Sequence, residues 1–169
     1  MRCVLNFLGA DDMSFQADAA GWTTIGQVLA PDHTALQLVE VAILFQGIVV
    51  ADEPVLVQLV RQTDAGSGGV ARDLVHEHEV EGIIGSSRYK PILTQGFVDI
   101  DTTEPTTENI LRSWHIHPQN GIVYPYRPSH GNQEYLTCAP QRRLGVRVYP
   151  EDNVNVTGYI VINEGDMVR

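Results

Sequence analysis

The sequence predicts an all-β protein, an antiparallel β-sandwich of about eight strands, and three observations support this. Apolar runs are short and repeatedly broken, and the three-to-four periodicity of amphipathic helices is almost absent. Turn-forming segments separate the runs at intervals of roughly 8 to 12 residues, which is typical of an antiparallel sandwich or barrel. The chain has 169 residues, 43% hydrophobic and 19% charged, enough for one well-packed domain.

The strands follow from these runs in chain order. Residues 36–50 are the most apolar run, in which Gly47 marks a bulge or bend. Residues 55–62 form a partly buried central strand that ends before the loop TDAGSGG. Residues 70–75 fit neither period, so strand and irregular structure both stay open there. Further strands are predicted over 92–100, 110–117, 122–126, 134–138, 144–149 and 154–163.

The domain organisation is read from the same pattern. Residues 1–35 are rich in Gly, Ala, Asp and Thr around a few apolar residues. This composition predicts an N-terminal arm or extension that becomes ordered on a neighbouring subunit. Residues 36–169 are predicted to form the sandwich domain.

The stretch SWHIHPQNGIVYPY, residues 113–126, predicts a β-hairpin. Alternation places Ile110, Arg112, Trp114 and Ile116 on one strand face and Leu111, Ser113, His115 and His117 on the other, and the more apolar set is expected to face the core. Asn120-Gly121 is expected to supply the positive φ angles of a tight reversal.

His115 and His117 also allow a metal-binding reading. A cupin-like site uses His-x-His on a strand, so that both imidazoles reach one ion, with a carboxylate and a third histidine completing the shell. No glutamate follows His117 at the spacing of three to five residues that such sites use; Glu134 is the next acid and His130 the nearest further histidine. A cupin-like metal-binding protein using His115 and His117 is therefore the alternative, and the site residues are predicted to include no metal ligand.

No motif indicates an enzyme. The segment His76-Glu77-His78-Glu79 lacks the HExxH spacing that places two ligands on one helix face, and no lysine follows the glycines at 65–69 as in a phosphate-binding loop. That glycine-rich segment is expected to be a flexible connection between strands. Ser113, Ser129 and both cysteines lack a recognisable nucleophile setting. We therefore predict a non-enzymatic protein with no catalytic residues and no cofactor.

Charge and cysteine content limit the partners. The chain has 11 basic and 21 acidic residues, a net charge of −10, which disfavours nucleic acid and anionic membranes as partners. The local basic cluster of Arg142, Arg143 and Arg147 is expected to be a solvated or salt-bridged strand end. Cys3 and Cys138 show no disulfide or zinc spacing, and no segment approaches the length of a membrane span, so synthesis in a reducing cytoplasm is expected.

The aromatic residues give a third reading. Trp114 is expected in the core, whereas Tyr124 and Tyr126 share a strand face across the hairpin from it. Exposed tyrosines near Arg127 would suit a protein contact, or would stack on a sugar ring in a carbohydrate-binding β-sandwich module.

Four segments resemble a known group of proteins: RQTDAGSGG (61–69), TTEPTTENILRSW (102–114), YRPSHGNQEYL (126–136) and GYIVINEG (158–165). Together they resemble small jelly-roll structural proteins of tailed phages. The resemblance implies a virion component made in the host cytoplasm, a capsid decoration or cement protein that forms homotrimers and contacts the major capsid protein.

Overall fold

A computed structural model describes residues 2–7, 15–17, 21–46, 53–76, 92–100, 102–126 and 136–165. These residues form strands and loops without a helix, and the strands build two antiparallel sheets, which confirms the predicted β-sandwich. In chain order the strands are β1 (Arg2–Phe7), β2 (Phe15–Ala17), β3 (Thr23–Leu29), β4 (Ala35–Gln46), β5 (Val55–Gln62), β6 (Val70–Arg72), β7 (Val75–His76), β8 (Gln95–Ile100), β9 (Thr107–Ile116), β10 (Ile122–Pro125), β11 (Thr137–Cys138), β12 (Arg143–Tyr149) and β13 (Val154–Gly165).

The seven-stranded sheet has the order β10-β4-β13-β1-β7, with β11 also beside β4 and β2 beside β13. The six-stranded sheet has the order β6-β8-β3-β12-β5-β9. The two last strands therefore lie between much earlier ones: β13 between β1 and β4, and β12 between β3 and β5. The long strands at the chain's two ends are thus held together within each sheet.

The core lies between the sheets and is made by the inward-facing residues of both. Strands β1, β4 and β13 contribute from one sheet, and β3, β5 and β12 from the other. The largest fully buried apolar side chains are Phe7, Leu5, Ile25, Leu36, Leu38, Ile43, Leu59, Ile100, Leu144, Ile160 and Ile162. At about 25 cal/mol per Å² of apolar surface removed from water, this shared core is the main stabilising term of the fold.

Residues 1–35, expected to form an arm or extension, instead supply strands to both sheets. All six residues of β1 pair with β13, and β3 pairs with β12 on one side and β8 on the other. Leu5 and Phe7 of β1 and Ile25 of β3 are fully buried in the core. The described part of this segment is therefore built into the sandwich.

The long strand expected over 36–50 is observed as β4, which contains an irregularity of its own. The register between β13 and β4 shifts between Val161 and Ile162, so that Val39 is an extra residue in β4. Gly47, where a bulge or bend was predicted, lies outside the described residues. The strand predicted over 55–62 matches β5 and lies inside its sheet, between β12 and β9, as expected.

The predicted hairpin over 110–126 is wrong, because its two strands belong to different sheets. Strand β9 pairs with β5 and β10 pairs with β4, so the chain crosses between the sheets over residues 117–121. The backbone N–H of Asn120 donates to the carbonyl of His117 at 2.8 Å, which makes a turn. Neither Asn120 nor Gly121 has the positive φ that a tight hairpin turn requires.

The predicted inner face of β9 is also only partly correct. Trp114 packs against the core and Ile116 is buried, as expected, but Ile110 is 55% exposed. The register with β5 shifts at Leu111, because Val60 lies opposite Ile110 while Leu59 lies opposite Arg112. One extra residue reverses the alternation, and Leu111 packs against the core instead of Ile110.

Candidate interaction surfaces

The histidine pair lies where β9 ends at the side of the sandwich. His115 is exposed and pairs with Leu56, whereas His117 lies beyond the strand in the turn. The two histidines line a shallow open depression of about 310 Å³ together with Trp114, Asn120 and Ile122. The Nδ1 atom of His117 accepts a hydrogen bond from the backbone N–H of Gln119 at 3.2 Å, so that nitrogen is already used within the turn.

A metal site needs more donors than this turn supplies. Among the described residues, no three His, Cys, Asp or Glu side chains come together as a metal site would require. His130 and Glu134, considered as completing ligands, lie outside those residues. Of the sequence His76-Glu77-His78-Glu79, the structure describes His76, which ends β7.

The aromatic residues near the turn close the side of the sandwich. The rings of Trp114 and Tyr124 lie 5.1 Å apart at 55°, one from each sheet. Tyr124 and Tyr126 are half-buried and pack against the core. A hydrogen bond with Tyr124 raises the pKa of the Arg112 guanidinium. These tyrosines therefore take part in packing.

A buried polar layer covers the outer face of the six-stranded sheet. Gln27 Nε2 donates to Gln62 Oε1 at 2.8 Å, and Gln62 Nε2 donates to Thr24 Oγ1, also at 2.8 Å. The Thr24 hydroxyl then donates to Glu104 Oε1 at 2.6 Å, and the Thr24 backbone N–H donates to Glu104 Oε2 at 2.8 Å. Thr24, Gln27 and Gln62 are at most 1% exposed. Buried side chains satisfied in this way hold a structure rigidly rather than await a ligand.

Two arginines form the margin of this layer. Arg143 donates to Gln27 Oε1 at 2.7 Å, and Arg147 donates twice to Gln58 Oε1, at 3.1 and 2.8 Å. The guanidinium of Arg147 lies 3.9 Å from the centre of the Trp22 ring, and that of Arg143 lies 5.4 Å from the Phe97 ring. The predicted solvated or salt-bridged strand end is observed at Arg142, whose guanidinium lies 3.8 Å from the carboxylate of the exposed Glu108. Arg143 and Arg147 have a structural role that the local sequence did not reveal.

The glycine-rich loop is tied down beside this layer, whereas a flexible connection was expected. The Asp64 carboxylate accepts from the backbone N–H of Gly66 at 3.0 Å and of Thr106 at 3.2 Å. Ser67 bridges to Thr103, and Gly66 and Gly68 have φ of 64° and 88°. These are angles that glycine adopts without strain, which explains the composition of the loop.

Two acids of this region should give opposite pH dependences of stability. Burial raises the pKa of Glu104, so its stabilising contribution is present below the ordinary Glu pKa and is lost as pH rises through the folded value. Hydrogen bonds from Thr106 and Gly66 lower the pKa of Asp64, so its contribution is present above the ordinary Asp pKa and is lost as pH falls. Urea unfolding at a series of acidic pH values would measure the free energy of unfolding. In Glu104→Gln a decline of this free energy with rising pH should disappear, and in Asp64→Asn a rise with rising pH should disappear. Equal slopes in wild type and both variants would contradict this account.

The outer face of the seven-stranded sheet differs in character because apolar residues occupy much of its middle and few of its described strand residues are charged. One row of side chains across the strands consists of Val75, Val4, Val161, Glu40 and Pro125. The next row consists of Asn6, Tyr159, Ala42 and Val123. Leu44 pairs with Thr157 in a third row. Leu44, Val75 and Val123 are exposed by 45, 46 and 57%, whereas Ala42 and Val161 are buried beneath their neighbours. We call the face defined by Val4, Ala42, Leu44, Val75, Val123, Tyr159 and Val161 the apolar outer face.

This surface was missed by reasoning from local sequence. Its residues come from β1, β4, β7, β10 and β13, far apart in the chain, so no single segment looks unusual. The signal present was the near-continuous apolar run of β4, in which Ala42 and Leu44 interrupt the expected alternation with polar residues. A strand with one solvated face would carry polar residues at those positions.

Comparisons with protein-family models, curated proteins and solved structures returned no match. Among the described residues, no helix is long and apolar enough to cross a membrane.

Proposed function

We propose that this chain is a non-enzymatic structural subunit that acts by self-association, and that it decorates or stabilises a virus capsid. The observation that carries the proposal is the apolar outer face, because the exposed apolar side chains of Leu44, Val75 and Val123 on one sheet face favour contact with another protein. The resemblance to phage decoration proteins supplies the virion context. It also implies a trimer that contacts the major capsid protein.

The order of the long strands supports the jelly-roll part of the proposal. Of the eight main strands, β1, β4, β10 and β13 belong to the seven-stranded sheet, and β3, β5, β9 and β12 belong to the six-stranded sheet. In chain order, the chain changes sheets at every step between these strands except from β5 to β9. Strands β5 and β9 are neighbours within one sheet, and β13 and β12 return between the earliest strands. We infer an eight-stranded jelly roll, a fold of viral capsid proteins among others, in which β6 and β8 extend the edge beyond β3.

The remaining features favour a structural role over the two alternatives. The polar layer around Gln62 is satisfied internally, and Tyr124 and Tyr126 are occupied in packing. The net charge of −10 opposes binding to nucleic acid, so contacts to capsid protein fit this chain better than contacts to the genome.

Co-sedimentation with shells tests the virion assignment. The purified chain would be mixed with empty shells assembled from the coat protein encoded nearest to its gene, and centrifuged through sucrose. We expect saturable co-sedimentation in a fixed ratio to coat protein, because repeated equivalent contacts on a particle add avidity. A chain that stays at the top of the gradient at every concentration, or a gene without coat, portal or tail genes nearby, would contradict the assignment.

A further inference from the structure

We propose that Asn120 is a site of spontaneous deamidation, at which the turn between β9 and β10 converts asparagine into aspartate and isoaspartate. The inference goes beyond the proposed function and does not depend on it. It concerns the point where the chain crosses from one sheet to the other, over residues 117–121.

The reaction needs an asparagine followed by a backbone nitrogen that can reach its side chain. The nitrogen of Gly121 gives up its proton and attacks Cγ of Asn120. The Cγ–Nδ2 bond breaks, and Nδ2 leaves with that proton as ammonia. Water from the solvent then opens the succinimide ring at either carbonyl, which leaves aspartate or isoaspartate. Asparagine is accordingly among the thermolabile residues of proteins.

The turn meets these requirements at Asn120. Asn120 and Gly121 are both exposed, so water and base reach the amide and the backbone. The pairing of β10 with β4 begins at Ile122, so the Gly121 N–H lies outside the hydrogen-bonded ladder of the sheet. The backbone N–H of Asn120 donates to the His117 carbonyl at 2.8 Å. This bond holds the turn through the backbone of Asn120 and does not use its side chain.

The glycine that makes Asn120 reactive is also required by the fold. A Cβ atom at Gly121 would lie 2.8 Å from the carbonyl oxygen of Ile43 and 2.5 Å from Cδ2 of Leu44. The crossing chain therefore needs glycine where it approaches β4. A side chain at that position would shield the attacking nitrogen, so the close approach of the two chains leaves Asn120 open to reaction.

The other described asparagines lack this combination. Each precedes a residue that has a side chain, and all but Asn153 lie inside strands: Asn6, Asn109, Asn153, Asn155 and Asn163. Asn155 is the best comparison, because it is exposed but is paired with Gln46 and precedes the β-branched Val156. Among these residues we expect Asn120 to react first.

A time course on the folded chain tests the site. The protein would be incubated at mildly alkaline pH and digested at intervals, and the asparagine-containing peptides would be followed by mass spectrometry, with isoaspartate detected by enzymatic methylation. We expect conversion at Asn120 to be at least about tenfold faster than at Asn155. Asn120→Gln is the matched variant. It should lose the conversion and keep the wild-type unfolding midpoint, because the replaced side chain is exposed.

A parallel incubation in urea shows whether the fold permits the reaction. The rate at Asn120 in the folded chain should lie within about tenfold of the rate in the unfolded chain, because the turn leaves both reacting groups accessible. A larger difference would show that the turn protects Asn120 and would overturn the inference. Equal rates at Asn120 and Asn155 in the folded chain would overturn it as well.

The isoaspartate product provides a separate structural readout. Isoaspartate routes the backbone through the side-chain carbon and so lengthens the chain by one atom just before β10. Amide hydrogen exchange at Val123 and Tyr124 should therefore accelerate in the incubated chain, but not in Asn120→Asp, which carries the new charge on a backbone of normal length. Unchanged exchange in a chain rich in isoaspartate would contradict the placement of the modification at the crossing. Self-association is measured on freshly purified chain, so either proposal can fail without the other.

Discussion

Replacing Gly26 with alanine should destabilise the protein by about 3 kcal/mol, at the upper end of the cost of overpacking a core. A Cβ atom at Gly26 would lie 2.0 Å from Cε1 of Phe7, and the Phe7 ring is fully buried between the sheets. Gly26 is also paired on both sides, with Val146 and with Val98. The backbone therefore cannot shift without disturbing three strands.

Urea unfolding of single and double variants would test this contact. Phe7→Leu alone should cost roughly 1–2 kcal/mol through lost packing, but it makes room for the new methyl group. The double variant Gly26→Ala with Phe7→Leu should therefore be more stable than the sum of the two single losses predicts, by about 1 kcal/mol or more. Gly21→Ala is the control, because a Cβ there would meet nothing within 4 Å. Additive losses, or an unaffected Gly26→Ala, would refute the close packing of these two strands.

The second large effect is expected at Glu164, whose carboxylate joins the two sheets at one end of the sandwich. Glu164 lies near the end of β13 and is 7% exposed. It accepts from the backbone N–H groups of Leu93 and Thr94 at 3.1 Å each, and from the Thr94 hydroxyl at 2.7 Å. These donors directly precede β8 of the other sheet. Glu164→Ala would remove this acceptor from three donors, two of them on the buried Thr94, and should cost about 3 kcal/mol.

Two further variants resolve the contribution of each donor. Thr94→Val removes the hydroxyl alone and should cost about 1–2 kcal/mol. Glu108→Ala removes an exposed carboxylate in a surface ion pair with Arg142 and should change stability by less than about 1 kcal/mol. Amide hydrogen exchange at Leu93 and Thr94 should accelerate in Glu164→Ala. Similar losses for Glu164→Ala and Glu108→Ala would show that the carboxylate does not hold the sheets together.

Local pattern predicted the strands well because alternation and turn formers act over a few residues. Strands β5, β12 and β13 agree with their predictions within a few residues, and β9 differs mainly by starting earlier. The N-terminal segment was misjudged because its strands are stabilised by partners far away in sequence, such as β13 for β1. Composition alone does not show such pairing.

The hairpin failed for a related reason. Asn-Gly after a strand favours a reversal, but the sequence does not show which sheet receives the next strand. β9 found its partner in β5, and β10 found its partner in β4, so the turn became a crossing between sheets. The extra residue at Leu111 then exchanged the places of Ile110 and Leu111. A bulge of one residue is invisible to a count of alternation.

The candidate surfaces depend on three-dimensional assembly, which limits their prediction from sequence. Gln27, Gln62 and Glu104 are ordinary polar residues until β3, β5 and the loop before β9 place them in one hydrogen-bonded chain. The apolar outer face likewise combines single residues of five strands. The histidine pair was conspicuous because its residues are adjacent in sequence, yet the turn uses one imidazole for its own backbone.

Self-association of the unmodified chain is the central claim, and its mass in solution tests the claim most directly. Sedimentation equilibrium over a wide range of micromolar concentrations should give a whole-number multiple of the 18.7 kDa chain mass, with dissociation only at high dilution. A mass of one chain throughout that range would contradict the account.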